Sequence, residues 1–379
     1  MQRAESFALI TGSDLENERM QAELLRRWAD LLTSYCLNLQ PGETVLIAAE
    51  TVAEPLVTAT AQAVIRKGCV PVVRLEIPGL NEYLINHGTE DQILAVPVAS
   101  FAEAGSIDAR IRILAETNLK RTADPKKQAL FDKAREPLRR LSSRKKWVLT
   151  QYPTGTYAEL AGMSLEEYEA FVCSAMFLDQ ADPVVSWKEL GERQSRVINL
   201  IKNAKTVKLQ AKGTDLTFDV SGRTWINSDG RRNMPSGEIF TGPVETSATG
   251  KLSCTQPVLR DGHLLEGISM VFENGKVVEA KAKTGQDYLR AMIAMDDGAS
   301  FVGELGIGLN EGIDRFSGSI LYDEKIGGTA HVALGSSYPE TGGTNRSALH
   351  WDFIIDMRIG GKIMADDKVV CNNGRWALD

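Results

Sequence analysis

The feature that most constrains this chain is a change of texture near Lys205. Before it, segments with helical spacing alternate with short apolar runs. After it, the sequence breaks into short alternating strands set off by glycines. Gln21 to Leu39 carries apolar residues at helical spacing (Leu24, Leu25, Trp28, Leu31, Leu32, Tyr35) and ends at the turn Pro41-Gly42. The apolar run Thr44 to Ala49, a helical Pro55 to Gly68 and the strand-like Val70 to Ile77 follow. Strand, helix, strand at these lengths is a βαβ unit, and such units build parallel sheets. Pro125 to Lys146 reads as a long charged helix, Trp147 to Tyr152 as a strand and Trp187 to Ala204 as a further helix. Ser164, followed at once by Leu165, Glu166 and Glu167, has the hydroxyl and early acids of a helix start.

Beyond residue 205, Val207 to Ala211, Leu216 to Val220 and Ile268 to Glu273 read as short strands, with one helix near Asp287 to Met295. Asn274-Gly275, between Val271-Phe272 and Val277-Val278, is a strong hairpin turn signal. The expected fold is an α/β N-terminal domain with a largely parallel sheet over 21–205. A β-rich (α+β) C-terminal domain is expected over 206–379. Residues 1–20 are expected to form a flexible extension.

Charge and cysteine usage remove several function classes. A net charge of −7 over 379 residues argues against nucleic acid as a partner. The one dense basic run, Arg139, Arg140, Arg144, Lys145 and Lys146, closes a predicted helix, where the helix dipole favours it. No stretch approaches the roughly 18 apolar residues of a membrane span, and the N-terminus has no secretory pattern. Cys36, Cys69, Cys173, Cys254 and Cys371 are scattered and form no CxxC pair, so free thiols in the cytoplasm are expected. Gly303, Gly306 and Gly308 follow neither a dinucleotide fingerprint nor a phosphate loop.

The chemistry concentrates near the C-terminus. Of four histidines, His331 and His350 fall in one glycine-rich stretch, and Asp352 follows His350 at two residues. Positions i and i+2 of a strand face the same side, so His350 and Asp352 would point together. Two imidazoles and a carboxylate suit zinc, cobalt, manganese or iron, although a hydrogen-bonded His–Asp pair would also satisfy the spacing. Glu238 and Glu304 each lie among glycines and apolar neighbours. A carboxylate there needs a cation or a hydrogen-bonding partner. Together the five residues could hold two divalent ions with one carboxylate between them. Lys325 offers either an oxyanion contact or an ion pair with Asp323 or Glu324.

The ordered segments NMPSGEIFTGP, GELGIGLN, DEKIGGTAHVALGSSYPETGG and SALHWD resemble the thermophilic-type metallo-aminopeptidases, the aminopeptidase T and aminopeptidase S family. The resemblance extends through PGETVLIAAE, WVLTQYPT and AGMSLEEYEAF and covers roughly residues 20–379. It implies that Glu238, Glu304, His331, His350 and Asp352 are metal ligands and that Tyr338 stands beside the metals. It also implies catalytic parts for Glu304, Tyr338 and Glu238, two divalent ions (zinc, cobalt or manganese), short peptide substrates and a homodimer. Gly242 departs from the alanine expected there. Some ring-cleaving dihydroxypyridine dioxygenases resemble the same family, so the alternative is a single iron held by His331, His350 and Asp352.

Overall fold

The computed structural model describes residues 12–118, 124–254 and 256–378. Helix α1, Gly12–Asp30, takes in residues 12–20 and passes into a π-helical Leu31–Cys36. The rest of the expected extension, residues 1–11, lies outside the described residues.

The N-terminal half is built on the parallel strands β1 (Thr44–Glu50), β2 (Val70–Glu76), β3 (Ala109–Leu114) and β4 (Lys146–Gln151). Helix α2, Glu54–Arg66, connects β1 to β2. It stops where Gly68 takes φ +72°, a left-handed conformation that glycine adopts without strain. Helices α3 (Leu80–His87), α4 (Glu90–Leu94) and α5 (Val98–Ser106) fill the crossover to β3, and α6 (Pro125–Ser143) that to β4. Strand β3, which has no long apolar run, alternates Arg110 and Arg112 with buried Ile111 and Ile113. Arg112 meets the Glu76 carboxylate through both terminal nitrogens, at 2.8 and 3.1 Å. Helices α7 (Gly155–Ala161), α8 (Leu165–Ala175) and α9 (Pro183–Ile201) complete this half. The Ser164 and Glu167 side chains bond reciprocally to each other's backbone N–H, a capping box that starts α8.

The C-terminal half is antiparallel. An eight-stranded sheet contains β5 (Thr206–Ala211), β6 (Thr214–Asp219), β10 (Thr249–Cys254), β13 (Ile268–Glu273), β14 (Lys276–Lys281), β18 (Lys362–Ala365), β19 (Lys368–Asn372) and β20 (Arg375–Trp376). The hairpin at Asn274-Gly275 forms, with both residues at positive φ and Glu273 paired to Lys276. Helix α10, Gln286–Ile293, follows, and a small hairpin joins β11 (Val258–Arg260) to β12 (His263–Leu265). A five-stranded sheet carries β7 (Ile226–Ser228), β9 (Glu238–Thr241), β15 (Val302–Gly308), β16 (Thr329–Gly335) and β17 (His350–Asp356), in the order β17-β16-β15-β9-β7. A short helix α11, Ile320–Asp323, precedes β16.

The two halves share one hydrophobic core, to which Trp28, Ile47 and Trp187 contribute from one side and Phe218, Leu252 and Phe353 from the other. Strand β8, Asn233–Met234, reaches back and pairs in parallel with β4. The fold is therefore an α/β parallel-sheet half followed by a largely antiparallel half. Among the described residues, no helix is long and apolar enough to cross a membrane.

Asn310, fully buried at the end of β15, ties the halves together. Its Nδ2 donates to the carbonyls of Ala175 and Ser236, both at 2.9 Å, and its Oδ1 accepts from Gly312 N–H at 2.9 Å. Asn310→Ala leaves those groups buried and unpaired. The expected loss of stability is about 1 to 3 kcal/mol, read by denaturant titration; an unchanged midpoint would show that Asn310 is not this tie.

Candidate metal centre

Paired residues on neighbouring strands share a face, and side chains alternate along each strand. Glu304 on β15 pairs with Ala333 on β16, which pairs with Asp352 on β17. Gly306 pairs with His331, Gly335 with His350 and Gly308 with Glu238. The registers therefore bring Glu238, Glu304, His331, His350 and Asp352 to one face of the sheet. Gly306 makes this possible: a Cβ there would collide with Nε2 and Cε1 of His331. Gly237, at φ +112°, turns the chain into β9 just ahead of Glu238. Gln194 on α9 donates to the Glu238 carbonyl and fixes that strand from behind.

His331 Nε2 stands 3.4 Å from Glu238 Oε2 and 3.3 Å from Glu304 Oε1. His350 Nε2 stands 3.4 Å from Glu304 Oε2 and 3.7 Å from Asp352 Oδ2. Glu304 thus turns one oxygen to each histidine. His350 Nδ1–H donates to the Ser336 carbonyl at 2.9 Å, which leaves the Nε2 lone pair facing the carboxylates. Two groups of three potential ligands result, each with ligand atoms within 4.8 Å of one another: Glu238, Glu324 and His331, and Glu304, His350 and Asp352.

These residues fit metal ions on three grounds. Ligand atoms about 2.0–2.1 Å from a tetrahedral zinc lie about 3.3 Å apart, close to the separations observed. Glu238 Oε2 and Asp352 Oδ1 are buried without a hydrogen-bond partner, as carboxylates reserved for a cation would be. Finally, four carboxylates (Glu238, Glu304, Glu324, Asp352) face one ammonium, Lys325, so four minus one leaves three formal negative charges in excess. Buried charge of that size requires compensation.

The same excess acts on the titrating groups. Burial pushes Glu304 above the usual carboxylate range, a rise that its hydrogen bond to His331 opposes. Burial alone would lower both histidines. Net, however, the Glu304 hydrogen bond and the Glu238 charge raise His331, and the Asp352 and Glu304 charges raise His350. Tyr338, half-exposed, lies with its ring 5.4 Å from that of His350 and 5.2 Å from that of Phe240. Partial burial and the carboxylates of Glu304, Asp352 and Glu238 push its phenol well above its ordinary value, so it keeps its proton.

The structure brings Glu238, Glu304, His331, His350 and Asp352 together, with Tyr338 beside His350. Glu324 was not expected as a ligand. Its place beside Lys325 suggested an ion pair, which does form, but the Lys325 ammonium, fully buried, also lies 3.6 Å from Glu238 Oε1. Asp323 points elsewhere, accepting from Ser317 and Gly318. His87 packs on Tyr83 and His263 on Tyr288, outside both ligand groups. The single-iron alternative is not supported: among the described residues, His331 groups with Glu238 and Glu324, while His350 and Asp352 group with Glu304.

Ligation requires neutral imidazoles, and both are held above the ordinary histidine value of about 6.5. Metal affinity therefore falls as pH drops through that raised range. Equilibrium dialysis against limiting zinc should show occupancy falling from neutral pH to about pH 5.5; constant occupancy would contradict the geometry. Gly306→Ala should displace His331 and lower metal affinity at least about tenfold, with unchanged affinity as the contrary result.

Residues 21–376 match the thermophilic metalloprotease family M29. Aminopeptidase 2 of Geobacillus stearothermophilus is 27% identical over 405 aligned residues, covering 94% of this chain and 98% of the relative. Aminopeptidase AmpS of Bacillus subtilis is 29% identical over 264 residues, 61% of this chain and 63% of the relative. The structure of wild-type AmpT from Thermus thermophilus shares the fold, with a TM-score of 0.80 at 22% identity, over 93% of this chain and 99% of the other. A family model spanning nearly the whole chain includes the strands that carry both ligand groups, and the chain belongs to the thermophilic metalloprotease family M29.

Proposed function

We propose that this protein is a metallo-aminopeptidase that removes N-terminal residues from short peptides with two divalent ions. Glu304, one oxygen turned to each histidine, is the observation that carries this reading. Glu238, Glu324 and His331 would hold one ion, and Glu304, His350 and Asp352 the other, with Glu304 between them. Zinc, cobalt and manganese all suit imidazole and carboxylate donors. When bound, the ions supply Lewis acidity that polarises a peptide carbonyl and acidifies a water.

The side chains divide the remaining work. Glu304 accepts a proton from the attacking water and returns it to the departing amine. It belongs to one ligand group and faces His331 of the other. Glu238 faces His331 and Lys325 and serves one ion position. Tyr338 donates its retained O–H to the developing oxyanion. Lys325 offsets part of the carboxylate charge, and Ser336 holds His350 in its ligating tautomer.

The wider organisation belongs to the same proposal: two domains dividing near residue 205, acting as a homodimer in the cytoplasm. All five cysteines are unpaired, as a reducing compartment favours.

Leucyl and alanyl 4-nitroanilides, assayed with zinc, cobalt or manganese supplied, test the reading. Glu304→Gln keeps the shape but can neither accept a proton nor offer a charged oxygen to the ions, and kcat should fall about 100-fold to 10,000-fold. Tyr338→Phe should lower kcat about 100-fold to 1,000-fold with KM little changed. Full turnover by Glu304→Gln would sink the assignment.

A further inference from the structure

The basic run at the end of α6 divides into two sets. Arg139 and Arg140, inside the helix, pair with Asp132 at 3.1 Å and Glu136 at 2.6 Å on the helix itself. Arg144, Lys145 and Lys146 come after its last residue, and Lys146 opens β4. The helix dipole acts within the last turn and fades beyond it, so it does not account for this second set. The short segment between β7 and β8 brings Arg231 and Arg232 to the same place. These five cations, with Trp147, line one hollow of about 390 Å³.

The partners they have are easily exchanged. Lys146 meets Glu43 at 2.6 Å, Arg231 meets Asp229 at 3.0 Å and Arg232 meets Glu340 at 3.5 Å. Lys145 donates to the Gly105 carbonyl at 3.3 Å. Lys146, Arg231 and Arg232 are all exposed, and solvent screens ion pairs at such positions. Among the described residues, five cations against three carboxylates leave two positive charges in excess at the hollow. That excess stands out on a chain of net charge −7.

We propose that this hollow is a binding site for a short polyphosphate chain, which takes Arg232 from Glu340 when it binds. Guanidinium forks and ammonium groups pair strongly with phosphate oxygens. Two separate segments supply the cations, so two or three linked phosphates can meet both sets where a single phosphate meets one. A long polyanion is disfavoured, because beyond the hollow it would meet the field of a net negative protein. Arg232 is the shared group. Its guanidinium lies 5.9 Å from the centre of the Trp147 ring and pairs with Glu340, two residues past Tyr338. An anion that captures Arg232 therefore releases a tether on the segment that carries Tyr338. The site itself does not depend on the peptidase reading.

Calorimetric titration of the metal-loaded full chain with sodium tripolyphosphate tests the proposal, beside orthophosphate, adenosine triphosphate and a single-stranded RNA. A double variant, Arg144→Gln with Arg231→Gln, keeps the metal centre, so it reports any heat of metal chelation for subtraction. Tripolyphosphate should bind the wild type at least about tenfold tighter than orthophosphate does, and at least about tenfold tighter than it binds the double variant. Glu340→Gln removes the competitor for Arg232 and should tighten binding about twofold to fivefold. Adenosine triphosphate binding tighter than tripolyphosphate assigns the site to a nucleotide, and equal or weaker binding assigns it to a bare chain; either supports the site. Equal binding of tripolyphosphate by wild type and double variant, or RNA binding tighter than tripolyphosphate, overturns the assignment. Unchanged affinity in Glu340→Gln overturns the exchange at Arg232. Arg144→Gln alone, at an exposed residue, decides the matter if the double variant fails to fold.

Discussion

The structure depends on one carboxylate placed where a carboxylate is costly. Glu304 is buried in the middle of a five-stranded sheet, with an imidazole against each oxygen and three further carboxylates nearby. Among the described residues, Lys325 is the ammonium that meets this cluster, at Glu238 and Glu324, and it neutralises a single charge. Such a cluster is tolerable only with strong compensation, and divalent cations supply it most economically. The raised proton affinities of both histidines express the same imbalance in another form.

Antiparallel pairing makes this cluster geometrically possible. Four adjacent strands aim their ligands at one face, so Glu238 and His331, far apart in sequence, meet at 3.4 Å. Gly306 leaves a gap across which the His331 ring lies; Gln194 holds the β9 backbone from the N-terminal half, and Asn310 bonds both halves. The parallel sheet contributes no ligand to either group. Its helices form the support against which β9 and the end of β15 are fixed.

Much of this was legible in the sequence because local rules and tertiary demands agree. The βαβ unit over β1, α2 and β2 follows from apolar periodicity, and the Asn274-Gly275 hairpin from turn chemistry. Glu238 and Glu304 stood out because acids among glycines and apolar residues are rarely solvated. Strand β3 is hard to read because its arginines interrupt the apolar run; Arg112 is met by Glu76 across the sheet, a partner that local sequence does not reveal. Strand β8, two residues long, pairs with β4 and buries Met234 in the core, and no period can be read from two residues. In the sequence, Glu324 reads as an ion-pair partner because its neighbour is a lysine. Only the fold shows that this lysine is buried against Glu238 and that both carboxylates face His331.

The central claim is that Glu304 joins two ion positions into one centre. Calorimetric titration of metal-stripped protein with zinc tests it most directly, wild type beside Glu304→Ala. The account predicts two ions per wild-type chain and weakened binding of both in the variant. One ion per chain, or a variant that loses one ion and binds the other as tightly as the wild type, would contradict it.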